Sequence, residues 1–263
     1  MKHKTALVVG CSLSAGYAMS PASAAPDHPR LWVNQLLSDH DYQVNNISRI
    51  GAANSWIFHQ AVQAMTATRP DLVLVQWSYL ARLNWPVGLE LYDTWSMLAS
   101  PGHDVDLVGH HTVPAAWLAD IGNRLQLITN DHWHILQLVQ YVNVLVALAQ
   151  AQQCQIVLVN GAVGWCSDFF QPHAWTQPSE LPQYVQDLLS VTKRSDTDIK
   201  KLYTKIYSEY NTAGGIHESQ WLNLYSSLHD TKVDTILPQD QHPGWQSQDH
   251  FYQILAPELQ KLL

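Results

Sequence analysis

Thr5-Ala6-Leu7-Val8-Val9-Gly10, running straight into Cys11-Ser12-Leu13-Ser14, is the stretch on which the reading of the whole chain turns. Six residues, continuously apolar and half β-branched, have the character of a strand buried on both faces of a parallel sheet. The same residues follow Lys2, His3 and Lys4 and precede Ala22-Ser23-Ala24, the outline of a secretory signal, and Val8-Val9-Gly10-Cys11 has the look of a lipoprotein box. A signal's apolar region needs ~7–15 residues, and the run here is shorter, with Ser12, Ser14 and Gly16 breaking its apolar character soon after it ends. Removing the stretch would also leave a domain that begins near His28 with no opening strand. We therefore read Thr5–Gly10 as the first strand and expect a cytoplasmic protein. A secreted protein that loses residues 1–24 is the alternative.

Working outward, a Ser/Gly/Pro/Ala-rich loop over 11–28 leads to Leu31, Trp32, Leu36 and Leu37, spaced for one face of a helix. Tyr42–Ile47 reads as a second strand. Asn54 to Thr68 reads as a helix that Asn54 caps and that stops before Pro70. Asp71–Trp77 (DLVLVQW) is the clearest buried strand. Residues 78–127 carry many loop signals, among them Pro86, Pro101-Gly102 and Pro114, and read as a long insertion or lid. A long helix is expected over Asp131–Gln153 and a strand over Gln155–Asn160 (QIVLVN). Helices are expected over 179–192, 197–210, 218–228 and 247–262. Strand and helix alternate without an internal repeat or linker, which predicts one domain over 1–263. Its expected fold is a three-layer α/β/α sandwich of the flavodoxin-like kind with a mainly parallel sheet.

Composition narrows the function. The chain has 263 residues, 46% of them hydrophobic and 14% charged, which gives ample core and argues against disorder. A net charge of −8 speaks against nucleic acid as the partner. Seven of the 14 basic residues lie beyond residue 192, and Lys193, Arg194, Lys200, Lys201 and Lys205 read as a solvated helix face. No apolar run reaches the ~18–20 residues of a membrane span. The three cysteines, 11, 154 and 166, form no disulfide framework; Cys154 reads as a core thiol and Cys166 as part of a Trp-rich loop. His110-His111 and His132-Trp133-His134 lack the further ligands at recognisable spacing that zinc needs, so no metal is expected. Eleven Trp and 11 Tyr fit a cleft for sugars or acyl chains as well as a core.

Reactive groups in such sheets gather where strands end. Gly10-Cys11-Ser12-Leu13-Ser14 comes after the first strand, and a serine on a tight turn there can present its hydroxyl and its backbone N–H to one substrate atom. The same residue equally suits a helix N-cap. Asn46-Ile47-Ser48-Arg49-Ile50-Gly51-Ala52-Ala53-Asn54 comes after the second strand, with a glycine whose N–H can approach a ligand. Asp240-Gln241-His242-Pro243-Gly244 precedes the last helix. A carboxylate beside a histidine can hold its tautomer and stabilise its charged form, and a polar turn is the alternative reading.

Taken together and in this order, these segments resemble the SGNH (GDSL-like) hydrolases. Gly10-Cys11-Ser12-Leu13-Ser14 is similar to that family's nucleophile turn, with Cys11 in place of Asp. Asn46, Ser48, Gly51 and Asn54 resemble its second motif, Asp71–Trp77 the strand before its third, and Asp240, His242 and Pro243 its last. The resemblance covers roughly residues 5–82 and 234–262. It implies a serine ester hydrolase, whether an esterase, a carbohydrate O-acyl esterase or an acyltransferase-like relative, working through an acyl-enzyme on Ser12. His242 would be the base, Asp240 its orienting acid, and Gly51 an oxyanion donor, with no cofactor and a small-molecule or carbohydrate ester as partner. Three departures stand out. The Gly-x-Asn-Asp after the third strand is replaced by Trp77-Ser78-Tyr79-Leu80-Ala81-Arg82, which leaves Asn54 or Asn84 as substitute donors. The acid–base pair is spaced Asp-x-His, with Gln239 at the usual acid position, and Cys11 removes a carboxylate. The rival reading keeps the fold without catalysis, as a carbohydrate-binding protein.

Overall fold

The computed structural model describes residues 4–16, 26–79, 82–86, 94–98, 131–161, 217–223, 226–237 and 240–263. Four parallel strands form the central sheet: β1 (Lys4–Val9), β2 (Tyr42–Asn46), β3 (Leu72–Trp77) and β6 (Gln155–Asn160), in the order β2-β1-β3-β6. The run that decides the fold is thus an interior strand. Lys4 to Val8 pair with Tyr42 to Asn46 on one side, and Ala6 to Val9 pair with Leu72 to Val75 on the other. Asp71 locks this register at the strand's start, its carboxylate accepting from the Thr5 N–H at 2.7 Å and the Thr5 hydroxyl at 3.0 Å.

Ala6, Leu7, Val8 and Val9 are all buried, and so is every residue from Leu72 to Trp77. Continuous burial is what a parallel sheet covered on both faces requires. The chain steps from β1 to β2 in one direction and from β2 to β3 in the other, so right-handed crossovers put the connecting helices on opposite faces. Helix α1 (Ser12–Ala15) and α2 (Trp32–Ser38) belong to the first connection, and α3 (Asn54–Thr68) forms the second. In the two outer layers α2 packs with the last helix, α6 (Trp245–Leu262), while α3 packs with α4 (Asp131–Gln152). The result is the expected three-layer α/β/α arrangement.

Beyond the sheet, β4 (Arg82–Pro86) and β5 (Thr94–Leu98) form an antiparallel hairpin within the segment read as a lid, and β7 (Thr235–Leu237) pairs with β8 (Asp240–Pro243). The rest of 87–130, the helices expected over 179–192 and 197–210, the basic cluster from Lys193 to Lys205, His110-His111 and Cys166 lie outside the described residues. Among the described residues no helix is long and apolar enough to cross a membrane.

Two local expectations are corrected. Residues 218–228 are not one helix. A 3₁₀ turn at Glu218–Gln220 gives way to a single parallel bridge between Trp221 and Leu158, and α5 covers Leu228–Thr231. The extended stretch is held at the sheet edge by Asn223, whose side chain accepts from the Asn160 N–H and donates to the Asn160 carbonyl, both at 2.8 Å. Asn54 does not cap α3; Ala53 holds the cap position, and Asn54 is the first helical residue. The segment before the last helix forms a strand, β8.

Helix α6 begins after Gly244, which has no side chain with which to cap it. Asp234 performs that task from ten residues upstream. Its carboxylate accepts the N–H groups of Gln246 (3.1 Å) and Ser247 (2.7 Å) and a short bond from the Ser247 hydroxyl. Burial pushes the Asp234 carboxyl up, but the bonds from Ser247, Gln246 and Gly244 outweigh it and leave the group below the usual carboxylate range. A carboxyl depressed by folding stabilises the protein above its unfolded pKa, and the contribution is lost as pH falls through the folded value. Asp234→Asn should therefore cost about 1 kcal/mol at pH 7, the scale of a lost cap. Urea unfolding across pH should show the gap between parent and variant closing once pH drops below ~4.

The interior position of β1 gives a second test. Each fully buried large apolar side chain contributes ~1.5–3 kcal/mol, against a domain stability of only ~5–15 kcal/mol. A chain lacking residues 1–24 should consequently be insoluble or show no cooperative thermal transition, and a sharp melt would contradict the assigned sheet order.

Candidate active site

The chain reverses its direction of sheet growth between β1 and β3. In open parallel sheets the carboxyl ends of the strands at such a reversal border a crevice, because the flanking connections leave on opposite faces. Ser12 sits there, as the first residue of α1 after Gly10-Cys11. The turn is tight: Cys11 is extended (φ −97°, ψ −158°), its carbonyl accepts the N–H groups of Ser14 and Ala15, and Gly16 ends α1 in the left-handed region at φ 69°.

The turn is fixed from beneath by Gln76, on the neighbouring strand β3 and completely buried. Its Oε1 accepts the Cys11 N–H at 3.0 Å and the Ser14 hydroxyl at 3.1 Å. Its Nε2 donates to the Trp77 carbonyl at 2.5 Å and lies 3.2 Å from the Cys11 Sγ. The side chain fits because the residues that follow the two adjacent strands are glycines. A Cβ at Gly10 would stand 2.8 Å from Oε1, and one at Gly161 would stand 1.9 Å from Nε2. From above, the Trp32 indole N–H donates to the Leu13 carbonyl at 3.2 Å, and Asn46 Nδ2 donates to the Ser14 carbonyl at 2.8 Å.

The remaining groups arrive from the C-terminal part of the chain. The His229 N–H donates to the Gly161 carbonyl at 3.0 Å, which ties α5 to the end of β6. The Asp234 clamp sets the start of α6, and β8 carries His242 across to the turn. His242 Nε2 lies 3.0 Å from Ser12 Oγ, a contact between residues 230 apart in sequence. Ser12 is itself largely buried, with 6% of its surface exposed. A serine hydroxyl against an imidazole nitrogen at this distance is the arrangement in which the ring can take the proton as oxygen attacks an electrophile.

The other expected residues are placed in three regions. Gly51 lies in the loop after β2 and adopts φ 73°, a conformation glycine tolerates and other residues resist. Asn54 reaches across to the exit of β3: its Oδ1 accepts the Ser78 N–H at 2.7 Å, and its Nδ2 lies 3.3 Å from the Ser78 carbonyl and 3.5 Å from that of Tyr79. Both ends of this amide are thus turned on the backbone. Asp240 pairs with Leu237 at the start of β8, and Asn84 pairs with Ser96 in the hairpin; the side chains of Asp240 and Asn84 lie outside the described set. Among the described residues no cluster of His, Cys, Asp or Glu could hold a metal ion.

Sequence reasoning passed over four neighbours. Gln76 carried a readable signal, being the one amide in an otherwise apolar strand (LVLVQW). Tyr79, Arg82 and His229 carried none. Arg82 Nη1 donates to the Ala52 carbonyl at 3.3 Å and lies 3.1 Å from Ser78 Oγ. The Tyr79 ring meets the His229 ring edge-on at 5.7 Å. Burial lowers the His229 pKa, helped by Lys232 and by His242 and opposed by Asp230. That ring is consequently neutral at pH 7.

No family model matches this chain, and no curated protein matches it either. Among solved structures it is similar to TesA over 99% of this chain and 100% of that one, at 14% identity and a TM-score of 0.48. It is also similar to the psychrotrophic esterase EstA from Pseudoalteromonas sp., in a structure inhibited by monoethylphosphonate (98% and 97% covered, 13% identity, TM-score 0.47). A third is a lipase/acylhydrolase from Enterococcus faecalis (98% and 96% covered, 12% identity, TM-score 0.44).

The Gln76 slot predicts a coupled pair of substitutions. Gly161→Ala forces the amide off Cys11 and Ser14 and should cost roughly 1–3 kcal/mol, the usual scale of overpacking. In a Gln76→Ala background part of that clash is gone. A double-mutant cycle read by urea unfolding should therefore show a coupling of about 0.5–3 kcal/mol, and strictly additive losses would contradict the slot.

Proposed function

We propose that this protein is a serine ester hydrolase in which Ser12 is the nucleophile and His242 the general base. The observation that carries the reading is the 3.0 Å contact between Ser12 Oγ and His242 Nε2 at the carboxyl edge of the sheet. The motif order Gly10-Cys11-Ser12, Gly51, Asp240-x-His242 supports it. In this reading Ser12 Oγ attacks the acyl carbonyl while His242 Nε2 accepts its proton. The tetrahedral oxyanion is held by the backbone N–H groups of Ser12 and Gly51. Collapse expels the alcohol, which takes the proton back from His242, and leaves the acyl group on Ser12. A water, deprotonated by the same ring, then releases the carboxylic acid and restores the serine.

Asp240, two residues before His242, is the proposed orienting acid. Asn54 takes a positioning part, holding the exit of β3 against the start of α3. The Ser78 and Tyr79 carbonyls engage its amide, so the oxyanion falls to the backbone donors. A hole with one donor fewer is expected to turn over about 10²–10³-fold more slowly than a complete one. The substrate class is a small-molecule or carbohydrate ester, the latter supported by the Trp content of the chain.

Ser12→Ala and His242→Ala should each remove most hydrolysis of 4-nitrophenyl acetate, and the double variant should be little worse than either alone, because the pair acts as a unit. A fluorophosphonate should add covalently to the parent and not to Ser12→Ala, as intact mass will show. Labelling that survives Ser12→Ala would overturn the nucleophile. Absence of both labelling and hydrolysis in the parent would favour a non-catalytic binding protein.

A further inference from the structure

Arg82 is held in an unusual way for a half-buried cation. It opens β4 just after the turn that leaves β3, and its Nη1 reaches back to the Ala52 carbonyl and the Ser78 hydroxyl. Ala52 is next to Gly51, and Ser78 is next to the last residue of β3. The guanidinium is therefore pinned across the seam between the two loops that flank the Ser12 turn. Its third partner is the Tyr79 ring, 5.3 Å from centroid to guanidinium carbon.

All three partners are neutral. Burial first, then the neighbouring Cys11 and Asp230, push the Tyr79 phenol up to about 12 against the opposing pull of Arg82, so it carries no charge at physiological pH. Among the described residues no carboxylate pairs with Arg82, whereas Arg30 on the surface pairs with Asp249 at 2.8 Å. Its Nε and Nη2 hydrogens likewise meet no acceptor there. A guanidinium fastened by one nitrogen to neutral groups keeps its charge and the rest of its donor fork for something else. Across the Tyr79 ring stand the His229 edge and the Lys232 ammonium, the latter 3.1 Å from His229 Nε2. The Asp230 carboxylate, 3.8 Å from His229 Nδ1, offsets part of this positive charge.

We propose that the site selects esters that also bear a carboxylate, and that Arg82 is the residue that binds it, through the bidentate geometry that guanidinium and carboxylate share. This rests on the Ser12 ester-hydrolase reading. The carboxylate can belong to the acyl half or to the alcohol half of the ester, and the test separates the two.

Three substrates suffice: phenyl acetate, which is neutral; phenyl hydrogen succinate, charged on the acyl side; and 4-acetoxybenzoate, charged on the leaving-group side. The readout is kcat/KM of Arg82→Gln relative to parent on each, which cancels the intrinsic reactivity of the esters. Glutamine keeps an N–H donor for Ala52 and Ser78 and removes the charge, and a thermal melt checks that the fold is retained. On one of the two charged esters the variant should lose at least tenfold more than on phenyl acetate, mainly through KM. Arg82→Lys, which keeps the charge, should recover part of that difference. Equal losses on all three esters, with or without a lowered melt, would overturn the proposal and assign Arg82 to the oxyanion or to the fold. Failure of the underlying reading is distinct: no ester would then be hydrolysed in a Ser12-dependent way by the parent.

Discussion

A primary amide buried in the middle of a parallel sheet has to find partners for both its ends, and in this protein that requirement organises the site. Gln76 has no exposed surface, and leaving a buried donor or acceptor unmade costs about 1–3 kcal/mol. The partners it finds are the Cys11 N–H, the Ser14 hydroxyl and the Trp77 carbonyl. Two of the three belong to the turn that presents Ser12. The same demand explains why a glycine follows each neighbouring strand, since any larger residue at 10 or 161 would occupy the volume of the amide. The conformation of the Ser12 turn is thus set by β3, one strand away, rather than by the turn's own residues.

The histidine is delivered by a different route. Among the described residues between β6 and α6, successive contacts with the sheet are Trp221 beside Leu158, Asn223 on the Asn160 backbone, and the His229 N–H on the Gly161 carbonyl. Each contact lies one or more residues further toward the carboxyl edge than the last. The Asp234 carboxylate then anchors the first turn of α6, leaving only β8 to span the distance to Ser12. Gly161 takes part in both routes. Its missing side chain admits Gln76, and its carbonyl receives α5.

The sheet was legible in the sequence because parallel strands buried on both faces leave a simple trace, short apolar runs such as TALVVG, DLVLVQW and QIVLVN. Ser12 was legible for a related reason, since strand ends mark the edge where such groups collect, and His242 through its place two residues after Asp240 and before the last helix. The clamps were not. Asn54 looks like a helix cap to any local reading, and only the arrival of Ser78 beside it shows that its amide serves β3 instead. Asp234 lies ten residues before the helix it caps, beyond the reach of an N-cap signature. Residues 218–228 have helical composition, and the sheet edge overrides that preference with backbone bonds. In each case the deciding partner is distant in sequence, and a local pattern carries no record of it.

The exit of β3 shows how these constraints interact. Where the resembling family places an asparagine, this chain has Trp77-Ser78-Tyr79. The Ser78 backbone is held by Asn54 on one side, and its hydroxyl meets Arg82 on the other. The loop after β2 is drawn in by the same arginine through the Ala52 carbonyl. A side-chain donor at this exit would have to displace one of these contacts, each between groups that are buried or half-buried and would lose a hydrogen bond. The side chains at this exit are therefore committed to holding the two loops together. What the exit gains in exchange is a cation, positioned by neutral partners beside the Ser12 turn.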